Sequence, residues 1–75
     1  MAGQRGPAGR DALRRSLEET VRELTAARAG FDQTADPDLL EYYLYEIHAL
    51  RARHTYLLRR LKAQDDLRRE PERPG

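Results

Sequence analysis

His48 and His54 are the only imidazoles in this 75-residue chain, and no cysteine accompanies them. A zinc site built on a helix takes ligands one turn apart, whereas these two histidines are six positions apart and fall on different faces. Glu41 shares a helical face with His48, but two helical turns separate them, about 10 Å along the axis. The lack of cysteine also removes disulfides, thiolate ligands and cysteine nucleophiles together. Ser16 and the threonines have no histidine and carboxylate placed around them, and Asp65 with Asp66 is a surface pair in a charged segment. The expectation is a protein that is not an enzyme, with no catalytic residue, no metal site, no cofactor and no small-molecule substrate.

What remains is contact chemistry. Four tyrosines and a basic stretch, "RARHTYLLRR" at residues 51–60, stand in the second half of the chain. Arg51, Arg53, Arg59, Arg60, Lys62, Arg68 and Arg69 would give nucleic acid a set of phosphate contacts, with tyrosines to stack on unpaired bases. Against this, Asp65, Asp66 and Glu70 interrupt the run, and the formal net charge of the whole chain is only +1. Aromatics flanked by arginine are also the side chains that dominate protein contacts. Tyr42, Arg53, Tyr56, Arg59 and Arg60 are therefore candidate contact residues, for a protein partner first and for nucleic acid as the alternative.

Helices must present these side chains. Leu13, Leu17, Leu24, Ala27 and Phe31 recur at helical spacing with Val21 beside them, while Arg14, Arg15, Glu18, Glu19, Arg22 and Glu23 take the opposite face. Glu18 with Arg22, Lys62 with Asp66 and Asp65 with Arg69 are spaced as surface pairs, each worth about 0.3 kcal/mol. "FDQTADPDLL" then stops one helix and starts another: Asp36 is placed to cap, Pro37 needs no donor at the first helical position, and Asp38 puts negative charge at the positive end of the helix dipole. A turn of about four to six residues favours antiparallel neighbours.

The second helix carries the longest pattern. Leu40, Ile47, His54 and Leu61 are spaced by seven, and Tyr43, Leu50 and Leu57 occupy the alternate core position of the same heptads. These seven residues are the predicted packing seam, and Leu44 and Leu58 widen it to the breadth of a bundle helix. Tyr42 and Tyr56 fall on an adjacent face with Ala49, and Tyr45 points outward. The chain is read as all-α: a two-helix antiparallel hairpin with helices at about 11–31 and 37–68. Residues 1–10 are read as an N-terminal tail, 11–69 as the hairpin domain and 70–75 as a C-terminal tail. The second helix would outreach the first.

Residues 31–62 also resemble the YaaL-like family, short bacterial proteins of unknown function. The resemblance rests on Phe31 and Asp32; on Asp36, Pro37, Leu39 and Leu40; on Tyr45, Glu46, Ile47, Ala49 and Leu50; and on Arg53, Tyr56, Leu57, Leu58, Arg59 and Lys62. His54 departs from the pattern, which has tyrosine there more often. The resemblance implies an intracellular bacterial helical protein and no activity, cofactor or catalytic residue.

Composition bears on assembly. Charged residues make up 36% of the chain against 39% hydrophobic, and so short a chain has little interior to offer. A lone pair of helices leaves one side of each apolar stripe wet, so a homodimer or an unidentified protein partner is expected to complete the unit. The N-terminal residues lack the apolar stretch of a secretory signal and no run is long enough to span a membrane, so the expected location is cytoplasmic, without a membrane partner.

Overall fold

The computed structural model describes residues 7–68, and within them the chain is two helices: α1, Pro7–Gln33, and α2, Pro37–Arg68. At the usual rise, α1 is about 40 Å long and α2 about 48 Å. Only Thr34, Ala35 and Asp36 lie between them, a turn at the short end of the range for antiparallel neighbours. The hairpin is a single helix layer, 14 Å deep in its thinnest direction.

The turn is built by side chains that stand in for missing helical bonds. Asp36 Oδ1 accepts the backbone N–H of Asp38 at 2.8 Å and that of Leu39 at 3.4 Å. Its own carbonyl accepts the N–H of Leu40 at 2.9 Å, the first bond of α2, and its N–H donates to Thr34 Oγ1 at 3.2 Å. Asp36 is thus the cap of α2, a role worth about 1 kcal/mol, and Pro37 follows as the first helical residue.

The start of α1 differs from the sequence expectation. Residues 7–10, read there as tail, are helical. Pro7 explains the start: its ring fixes a helical φ and it has no N–H to leave unsatisfied, so the helix tolerates Gly9 in its first turn. The added turn removes most of the expected overhang of α2. Arg10 Nη1 comes within 2.7 Å of Asp65 Oδ1, an ion pair that joins the outer ends of the two helices. Asp65 thus has a partner across the hairpin, while its expected pairing with Arg69 lies outside the described residues. Residues 1–6 and 69–75, and with them Arg69, Glu70 and the C-terminal tail, lie outside the described residues.

The register follows from pairs that cross between helices. Arg10 meets Asp65, Thr20 and Glu23 both meet Arg53, and Gly30 lies under Tyr43. Residue numbers fall along one helix as they rise along the other, which defines an antiparallel pair. On α2, Leu50 and Leu57 are buried, and Leu40, Tyr43, Ile47, His54 and Leu61 are half-buried. On α1, Thr20 and Ala27 are buried, and Arg10, Leu13, Leu17, Leu24 and Phe31 are half-buried, as is Thr34 in the turn. Both sets keep the alternating three- and four-residue steps of a heptad seam. Leu44 and Leu58 stay exposed, so the seam is narrower than a bundle helix presents.

Candidate interaction face

Thr20 is the most buried residue of the hairpin, with no exposed surface. A hydroxyl in a helical seam must be satisfied, and this one is satisfied twice. It donates to the carbonyl of Ser16 one turn back at 2.7 Å and accepts from Arg53 Nε of the facing helix at 2.9 Å. The guanidinium continues outward, with Arg53 Nη2 3.2 Å from Glu23 Oε1, where both side chains are about half exposed. A polar clamp, Ser16 to Thr20 to Arg53 to Glu23, therefore crosses the middle of a mainly apolar interface. It stabilises one register, because sliding either helix by a turn leaves the Thr20 hydroxyl and the Arg53 guanidinium without each other.

Thr20→Val keeps the shape and removes the hydroxyl. The expected loss is about 1–2 kcal/mol, near the lower part of the range for hydrogen bonds to charged groups because water reaches Arg53. Chemical denaturation measures it, and a Val variant as stable as the parent would show that the clamp contributes nothing.

The clamp marks one broad side of the hairpin. On that side of α2 stand Leu39, Glu46, Arg53 and Arg60, spaced by seven, and next to them Tyr42, Ala49 and Tyr56, also spaced by seven. Tyr42 is 53% exposed and Tyr56 55%. Tyr42 makes an edge-on contact with Tyr43, the ring centroids 5.1 Å apart and the planes at 61°. The Glu46 carboxylate one turn on disfavours the phenolate and raises the Tyr42 pKa above the ordinary tyrosine range. Arg60 lies against Tyr56: Nη1 donates to the phenol oxygen at 3.2 Å, and the guanidinium carbon is 5.8 Å from the ring centroid.

Of the five candidate contact residues, this face gathers Tyr42, Arg53, Tyr56 and Arg60. Arg59 falls elsewhere, on the back of α2 with Tyr45 and Asp66. Arg51 and Lys62 take yet other sides, so the cations of residues 51–62 ring the helix and form no single stripe. Arg53 has in addition a task inside the hairpin that α2 alone does not reveal. Among the described residues, no group of three or more His, Asp or Glu side chains is placed to hold a metal ion. No described helix is long and apolar enough to cross a membrane.

Two residues that matter to the site are missing from the sequence-based stripe. The α1 leucine pattern skips from Leu17 to Leu24, and the omitted heptad position is Thr20. The gap itself was the available signal, since threonine in a helix can satisfy its hydroxyl on the carbonyl one turn back and then behave as a seam residue. Gly30, a glycine late in a helical run, marks the place where the Tyr43 ring approaches the α1 backbone.

The geometry defines a class: a short antiparallel helical hairpin, pinned in register by a polar clamp, with an aromatic and charged outer face. Residues 8–65 match the family model described as Protein of unknown function (DUF2508), and the chain belongs to that family. No curated protein and no solved structure matches the chain.

Proposed function

We propose that this chain is a small non-enzymatic helical interaction protein, a coiled-coil hairpin that self-associates or docks on a protein partner in the bacterial cytoplasm. The observation that carries this reading is what the hairpin leaves uncovered. With the seam of each helix spent on the other, Leu50, Leu57 and Ala27 are the only apolar residues buried among the described ones. Leu39, Tyr42, Val21, Leu44, Tyr45, Tyr56 and Leu58 remain exposed. A single helix layer with so thin an interior gains stability by covering one of its broad sides. The bacterial and cytoplasmic parts of the reading rest on the resemblance of residues 31–62 to the YaaL-like proteins.

Thermal unfolding of the full chain, followed by circular dichroism over about a hundredfold dilution, tests the reading through mass action. The expected midpoint falls on dilution if the chain pairs with itself. A weak, non-cooperative melt is expected if it awaits another protein. A cooperative melt that dilution leaves unchanged, from a chain of monomer mass, would overturn the reading.

A further inference from the structure

The outer face of α2 repeats itself with a change of sign. Tyr42 is followed one turn later by Glu46, whose carboxylate is the strongest influence on that phenol. Tyr56 stands two heptads further on and is followed one turn later by Arg60, which bonds its hydroxyl. Ala49, exposed and small, is midway between the tyrosines. A half-turn about an axis through Ala49, perpendicular to α2, exchanges the two tyrosine positions and carries the anionic end of the face onto the cationic end. The face is thus complementary to itself when reversed, the requirement for an isologous two-fold contact.

The wider charge pattern runs the same way. Residues 31–50 hold five acidic residues and no lysine or arginine, whereas residues 51–68 hold six basic residues against two acidic. A parallel pairing of two hairpins would set acid on acid at the turn and base on base beyond it. An antiparallel pairing sets each acidic segment against a basic one, which favours that orientation and disfavours the other.

We propose that the face bearing Tyr42, Ala49 and Tyr56 takes a second copy of this chain, laid antiparallel along α2, with Ala49 at the two-fold axis, Glu46 of each copy beside Arg53 of the other, and Arg60 of each beside Leu39 at the acidic end of the other. This rests on the association reading above and commits it to one face and one occupant. Alanine at the axis lets the helices approach closely, the tyrosines close over the crossing from both sides, and the half-exposed Arg53 guanidinium faces the Glu46 carboxylate of the second copy. Leu44 and Leu58, on the other broad side, stay outside the contact.

The chain has no cysteine, so introduced thiols report this geometry without interference. Ala49→Cys is expected to form disulfide-linked dimers under mild oxidation, and Leu44→Cys to stay unlinked. Glu46→Arg is expected to weaken the dimer about tenfold, because it sets a new cation beside Arg53 of the other copy and the two-fold axis counts the change twice, whereas Arg51→Glu, on the side of Leu44 and Leu58, is expected to leave it within about threefold of the parent. Circular dichroism of each variant checks that the hairpin is intact. A dimer that links through Leu44→Cys and not Ala49→Cys, or that Glu46→Arg leaves as tight as the parent, overturns the proposal and leaves association standing. A monomer with a weak melt overturns it and leaves docking on another protein. A cooperative, dilution-independent monomer overturns both.

Discussion

Leu57→Ala is expected to destabilise the folded unit by about 2–5 kcal/mol, and Leu58→Ala, its neighbour in sequence, by less than about 0.5 kcal/mol. The contrast comes from one helical step. Leu57 is 6% exposed and shares the seam with Leu50, whereas Leu58 turns to the flank and remains largely exposed. Truncating Leu57 loses its transfer free energy and opens a void that two stiff helices close poorly. With so few buried apolar side chains, such a loss is a large part of the total stability. Urea titration at matched protein concentration reads both values. Equal costs for the two leucines would mean that the helices face each other differently.

Gly30→Ala is the second large effect, and its sign runs against helix propensity. In an open helix the change would stabilise by about 1 kcal/mol. Here a Cβ on Gly30 would stand 2.5 Å from Cε1 and 2.7 Å from the hydroxyl oxygen of Tyr43, closer than non-bonded atoms tolerate. Tyr43 must then leave its half-buried place or the helix ends must part beside a turn of three residues. A net loss of about 1–3 kcal/mol is expected, the usual range for overpacking. The cause is separable in a double-mutant cycle, because in a Tyr43→Ala background the obstacle is gone and Gly30→Ala should become neutral or stabilising. A Gly30→Ala chain more stable than the parent would contradict the close approach.

Local signals were strong enough to locate most of the hairpin. The start of α2 was legible to the residue because Asp36 and Pro37 act through the adjacent backbone alone. The heptad spacing of α2 likewise marks the residues that the structure turns toward α1. The start of α1 was misplaced because the glycine-rich residues 1–10 read as tail, whereas the helix begins at Pro7 and takes in Gly9, with Arg10 paired to Asp65.

The features that were not legible are non-local. Thr20 does not stand out in α1, and Arg53 reads as a surface cation in α2. Only the antiparallel register brings the hydroxyl to the guanidinium. Gly30 and Tyr43 are similarly unremarkable until the short turn folds one over the other. The outer face was half legible: the strip of Tyr42, Ala49 and Tyr56 follows from spacing. The opposite charges beside its two tyrosines gain meaning only once Arg53 is committed to α1 and Arg60 lies against its phenol.

The most direct test of the central claim, that association completes this hairpin, is the mass of the full tag-free chain by light scattering on a sizing column, loaded over about a hundredfold range of concentration. The expected result is a mass of about twice 8.7 kDa that declines toward the monomer only at the lowest loads. A constant 8.7 kDa at every load, with full helicity and a cooperative melt, would contradict it.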